Sequence, residues 1–166
     1  MSPAATEGRP DTKKSATLDR LLHPRDQHDI VLAIRTAELY TTAELKVHVE
    51  SRCRAADPYS RAVELFEQLG LHRTEQRNGV LVYVAIHDRR FCIVGDSGIG
   101  APQGHELWAE AQQRLSVAFR RGAFGEGIVG AVSAIGEKLA RRFPARPVPG
   151  KDEIDNEIST ADTGGP

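Results

Sequence analysis

The sequence contains no long apolar run. Its longest, GVLVYVAI at residues 79–86, is about eight residues, far below the roughly 18 that mark a membrane-spanning helix. It has two cysteines, Cys53 and Cys92, which form no metal-ligand spacing and do not make a disulfide-stapled scaffold. Neither sign of charge dominates: 22 Lys and Arg against 23 Asp and Glu leave a formal net charge of −1. That removes any global pull toward nucleic acid or an anionic membrane, so no nucleic-acid partner and no stable membrane insertion are expected. The basic pairs Arg89-Arg90, Arg120-Arg121 and Arg141-Arg142 lack interleaved aromatics and read as solvated turns and helix faces. The N-terminus, MSPAATEGRPDTKKSATLDR, lacks the apolar stretch of a signal peptide, and the expected location is cytoplasmic.

What is present suits one globular domain with tails: 40% hydrophobic and 27% charged residues in 166. A core of about 125 residues buries enough apolar surface to fold without metal or disulfides. Residues 1–20 have no apolar periodicity and are expected to be disordered. The domain is expected over residues 21–144. Residues 145–166 form a Pro-containing, acidic tail in which Ile154 and Ile158 permit either a docked turn or an extended segment.

The segment from Asn78 to Ile99, NGVLVYVAIHDRRFCIVGDSGI, organises the rest. Val80–Ile86 and Phe91–Val94 are short and rich in β-branched and aromatic residues, and the polar link His87–Arg90 predicts an antiparallel hairpin. Neither run alternates cleanly, so both faces are expected to be covered. Cys92, inside the hairpin, reads as a small buried residue. Before it, Leu45, Val47 and Val49 alternate with Lys46, His48 and Glu50, a strand with one apolar face.

Helices are read at four places. Pro24 and Asp26 start one that carries Ile30, Ile34 and Ala37. Asp57 caps another, with Pro58 at its first position and Ala62, Leu65, Phe66 and Leu69 as inner stripe. A third spans about residues 104–121, with Trp108 on its apolar stripe. The last, about residues 124–143, carries Gly127, Gly130 and Gly136, which close packing would explain. Together these predict an α/β sandwich: a small mixed sheet of three to four strands with helices on both faces.

The candidate chemistry rests on carboxylates at strand ends: Glu38, Glu44, Asp57, Asp88 and Asp96. Strand ends are the usual place for ligands in α/β sheets, and converging carboxylates could bind Ca²⁺ or Mg²⁺, which in turn polarises a phosphoryl oxygen or activates water. Asp88 and Asp96 lie at opposite ends of one strand and cannot share an ion. The favoured set is Asp96 with Glu44 or Asp57, and Arg52 opposing a phosphate. The structural alternative makes Asp57 a helix cap, Asp88 a turn residue and Asp96 an Asx-type loop brace. The histidines show no H-x₃-H or HExxH spacing, and DSGIG around Ser97 is not a nucleophile elbow.

In order along the chain, AELYTTAELKVHVESR (37–52), RAVELFEQLGLHRTEQR (61–77), the hairpin, ELW (106–108), AFRRGAFGEGI (118–128) and IGEKLARRFP (135–144) resemble the TPM domain. That family is found in thylakoid-lumen photosystem II repair proteins and many bacterial proteins. The resemblance implies two functions. One is a partner-binding or accessory domain for a membrane-complex maintenance system. The other is a divalent-metal-assisted acid phosphatase acting on phosphomonoesters, since some members are phosphatases and some bind calcium. This chain departs from the family's pattern at Ala43, where a glycine is expected before Glu44, and in GDSGIGAPQGHELW, which replaces a longer Gly-rich acidic segment. The partner-binding reading predicts an exposed apolar patch or a docked tail. The phosphatase reading predicts Asp96, an acidic partner and a basic residue in one open pocket.

Overall fold

The computed structural model describes residues 12–145 and 155–161. One sheet forms the centre, with strands β1 (Glu44–Glu50), β2 (Gly79–Ala85), β3 (Arg90–Gly95) and β4 (Ser159–Thr160) in the order β3-β2-β1-β4. β1 runs parallel to β2 and to β4, and β2–β3 is the antiparallel hairpin. The fold is thus the expected α/β architecture, with four strands and a mixed sheet.

Helices α1 (Thr12–Leu21), α2 (Pro24–Glu38), α4 (Ala109–Arg120) and α5 (Phe124–Arg142) lie on one side. Their apolar stripes meet Leu45, Val47 and Val49 of β1 and Val80, Val82 and Val84 of β2 in the main core. Helix α3 (Pro58–Gln68) covers the other side, where Ala62, Leu65 and Phe66 pack on Leu81, Tyr83 and Cys92. Every residue of β2 is buried, as its lack of alternation requires of a strand covered on both faces.

Local signals account for the boundaries. Asp57 is the α3 N-cap, its Oδ1 accepting from the Ser60 N–H at 2.8 Å, with Pro58 at the first helical position. The α5 glycines sit at close contacts. A Cβ on Gly127 would lie 2.7 Å from the Ala118 Cβ, and one on Gly136 would lie 2.7 Å from the Ala37 Cβ. Loss of helix propensity there is offset by close approach of α4 and α2 to α5.

Two expectations are corrected. Disorder does not extend to residue 20: Thr12–Leu21 is helical and buries Leu18, with Leu22 just after it, in the main core. Only residues 1–11 of that tail lie outside the described residues. The helix expected from about residue 104 begins instead with a 3-10 turn, Glu106–Trp108, before α4, with Trp108 fully buried and its indole N–H donating to Ala101 O at 3.0 Å. The C-terminal segment docks: Ile158 is buried in the main core and Ser159–Thr160 pairs with β1. Ile154 lies outside the described residues. Among the described residues, no helix is long and apolar enough to cross a membrane.

Candidate functional site

Strand pairing sorts the candidate carboxylates into two groups. The parallel ladder sets Glu44 of β1 against Gly79 of β2. The hairpin then returns Asp96 to that same end, where its N–H donates to Gly79 O at 2.9 Å. Arg52, Asp57 and Asp88 lie at the opposite end, about 20 Å away for a seven-residue strand. There Asp88 accepts from the Cys53 N–H at 2.7 Å and pairs with Arg52 at 3.4 Å. Of the expected set, Asp96 and Glu44 thus share one end of the sheet, and Asp57 and Arg52 do not join them there. The loop after β1 and the loop after β3 leave the sheet from opposite ends, because β1 and β3 run in opposite directions.

At the shared end, Asp96 is held by protein donors. Arg77 grips it bidentately, Nε to Oδ2 at 2.8 Å and Nη2 to Oδ1 at 3.0 Å, and the Ser97 N–H donates to Oδ1 at 2.7 Å. Burial pushes the Asp96 carboxyl up, but Arg77 and the Ser97 N–H outweigh it and hold the group below the usual range. Arg77 itself adopts φ +50° to make the turn. Side-chain alternation puts Glu44, Gly79 and Asp96 on the α3 face. The 3-10 turn Leu71–Arg73 closes over Gly79 there, and a Cβ on that glycine would lie 2.6 Å from Leu71 O. Backbone thus fills the space between the two carboxylates.

The neighbouring polar groups knit the loops together. Glu38 Oε1 accepts from the Leu45 N–H at 2.9 Å, clamping the end of α2 to β1. Fully buried Asn78 donates its backbone N–H to Thr74 Oγ1 and its Nδ2 to Thr42 Oγ1, while its Oδ1 has no hydrogen-bond partner. Among the described residues, no group of three or more His, Cys, Asp or Glu side chains is placed to hold a metal ion. With both Asp96 oxygens engaged by Arg77, the donor set there does not fit the Ca²⁺ or Mg²⁺ that the resemblance implies, which needs open carboxylate oxygens.

The structure instead places its densest electrostatics on the polar face of β1. Lys46, His48 and Glu50 are 5%, 1% and 0% exposed. Glu50 accepts from Arg61 Nε and Nη2, both at 3.0 Å, and from the Tyr83 hydroxyl at 2.5 Å, and lies 3.1 Å from His48 Nε2. Burial alone would push its carboxyl up, but His48, Arg61 and Tyr83 together hold it at about 2. The alternation of β1 showed this polar face but not that α3 and the C-terminal segment cover it. One signal was in reach: Arg61 stands one helical turn before Leu65, on the inner stripe of α3. Burial pushes the Cys92 thiol up to about 11, which keeps it unreactive at neutral pH.

On the opposite side of the molecule, a groove of about 580 Å³ runs between α2 and α5. The two helices run parallel, Asp26 beside Gly125 and Ala37 beside Gly136. Ala33, Ala37, Gly136 and Ala140 give the groove a floor of small residues, with Leu32, Tyr40 and Val129 as walls. Leu32 is 54% exposed and Tyr40 65%, and the adjoining Leu39 is 72% exposed. Asp29 and Glu137 stand at its two ends.

The TPM domain model matches residues 17–138. The chain belongs to the TPM domain family. Solved structures agree. The BA42 protein of the psychrophilic bacterium Bizionia argentinensis is 34% identical, with a TM-score of 0.78 over 88% of this chain and 99% of that one. Two N-terminal domains share the fold. One is the N-terminal domain of a protein from P. gingivalis, 24% identical, TM-score 0.60, over 74% of this chain and 79% of that one. The other is the cg2496 protein of Corynebacterium glutamicum, 14% identical, TM-score 0.58, over 71% and 74%. A comparison with curated proteins finds none that matches this chain.

Proposed function

We propose that this TPM domain is a partner-binding domain and that its α2–α5 groove receives an amphipathic helix bearing Lys or Arg at both ends. The observation that carries this reading is the exposure of Leu32, Leu39 and Tyr40 beside a floor of alanine and glycine. Large apolar side chains grouped at one concavity mark interaction surfaces, and a small-residue floor lets a third helix approach closely. From Asp29 to Tyr40 the groove spans about 16 Å at 1.5 Å per residue, or three helical turns. Asp29 and Glu137, about 13 Å apart along the axis by the same rise, select positive charge at either end. The family's photosystem II repair members make a membrane-complex subunit the natural class of partner, with this domain as accessory.

The alternative, a metal-assisted phosphatase, finds less support. Asp96 is already engaged by Arg77, and Arg52 stands at the far end of the sheet.

The test is a fluorescence-anisotropy titration with a 15-residue helical peptide that carries Leu at positions i, i+4 and i+7 and Lys at both ends. A twin carries Glu in place of Lys. The Lys peptide is expected to bind about tenfold more tightly than the Glu twin, the scale of two partly screened ion pairs gained against two repulsions. Ala33→Arg, which fills the groove floor, is expected to abolish binding. If neither peptide binds, or if Ala33→Arg binds as the parent does, the groove is not the partner site.

A further inference from the structure

The outer edge of β1 would be an open hydrogen-bonding edge without the C-terminal segment, and such edges are natural seats for an added strand. The segment that fills it is short. β4 contributes two ladder residues, His48 opposite Ser159 and Val49 opposite Thr160. Yet its side chains are read one by one. Asp155 Oδ1 accepts from Lys46 Nζ at 2.7 Å. Ile158 is 8% exposed in the main core. Ser159 Oγ lies 3.1 Å from His48 Nδ1, and Thr160 Oγ1 donates to Val49 O at 2.8 Å.

The receiving side is built for a polar strand. The Lys46 side chain is only 6% exposed, and Asp155 is the carboxylate that pairs with it. His48 is fixed from both nitrogens, Ser159 on one and Glu50 on the other. A buried ammonium and imidazole facing a sheet edge are costly unless a strand supplies their partners, so the seat and the segment are chemically matched.

We infer that the edge of β1 is a strand-binding site for the pattern Asp-x-x-Ile-Ser-Thr, and that residues 155–160, its occupant in cis, exchange with the same segment of a second copy of this chain. The nine residues 146–154 join that segment to Ala145, and they include Pro147, Pro149 and Gly150. The covalent connection is thus long compared with the two-residue ladder it delivers. A second copy's segment would make the same contacts in trans, the route by which an exchanged element joins protomers at little cost in contacts.

The experiment titrates a labelled peptide of residues 151–166 against the full chain and against a full chain carrying Ile158→Asp. That substitution unseats the resident segment and leaves β1 intact. The Ile158→Asp chain is expected to bind the peptide at least tenfold more tightly than the parent chain, in which the resident segment competes. A peptide that itself carries Ile158→Asp is expected not to bind. A full chain with Thr160→Val removes only the bond to Val49 O and is expected to fall between the two, which keeps the test decisive if Ile158→Asp perturbs the core. Equal binding to parent and variant chains, no binding to any of them, or binding by the substituted peptide would overturn the inference.

Discussion

Glu50→Ala is expected to lower stability by about 3–5 kcal/mol, the range for removing one partner of a buried ion pair. Arg61, whose side chain is 9% exposed, would keep only Glu64 as a carboxylate partner. The Tyr83 hydroxyl and His48 Nε2 would also lose the group they face. Replacing the pair together, Glu50→Leu with Arg61→Leu, is expected to cost less than Glu50→Ala alone, because no uncompensated cation remains. Urea unfolding of the three chains at pH 7 measures both effects.

The same group sets an acid limit. The Glu50 carboxyl is held at about 2 against an ordinary value of 4.5. A carboxyl depressed in the folded state stabilises above its unfolded value and loses that contribution as pH falls through its folded one. Stability from Glu50 is thus full above about pH 4.5 and drains toward pH 2, a change of about 3 kcal/mol. The gap between the parent and Glu50→Ala is expected to narrow over that window. A gap that stays constant from pH 7 to pH 2.5 would show that Glu50 does not carry its charge in the fold.

Gly98→Ala is expected to cost about 3 kcal/mol, at the upper end for overpacking, or to prevent folding. A Cβ there would lie 2.2 Å from Gln76 O and 2.5 Å from Arg77 O. Both are backbone atoms, so no side-chain rotation relieves the clash. The Gly98 N–H donates to Arg77 O at 2.8 Å, and Arg77 holds Asp96. A shift at residue 98 therefore disturbs the whole end of the hairpin. Gly100→Ala is the control. Its φ is +65° but nothing lies within 4 Å of the added Cβ, so only the left-handed backbone penalises it, by about 1 kcal/mol. Thermal unfolding of both variants separates collision from backbone preference. A Gly98→Ala chain as stable as Gly100→Ala would contradict the close contact.

Which parts of this structure were legible depended on how local their causes are. Asp57-Pro58 fixed the start of α3, because an N-cap and a proline act within one turn. The unbroken apolar run of β2 announced cover on both faces. The glycines of α5 pointed to close packing, which Ala118 and Ala37 supply. Helix α1 escaped because Leu18 and Leu22 are too few to make a stripe, and its order comes from tertiary contact with the main core. Only part of the candidate set shares one end of the sheet, for a topological reason. Strand ends offered Glu44 and Asp57 alike as partners for Asp96, whereas the strand directions decide which end each occupies. The polar face of β1 was visible as alternation, but what covers it comes from Arg61 on the next helix and from residues 155–160, over a hundred positions away. The groove could not be read at all. Leu32 on α2 and Leu39 and Tyr40 just past its end look ordinary until α5 packs beside them and leaves them exposed.

An amide NMR spectrum of the labelled chain with increasing Lys-ended helical peptide locates the partner site residue by residue. A partner helix in the groove is expected to shift Leu32, Ala33, Thr36 and Tyr40 of the α2 side and Val129, Ser133 and Glu137 of α5, all saturating together. Shifts centred instead on the exposed Tyr59 and Val63 of α3, or none at saturating peptide, would contradict it.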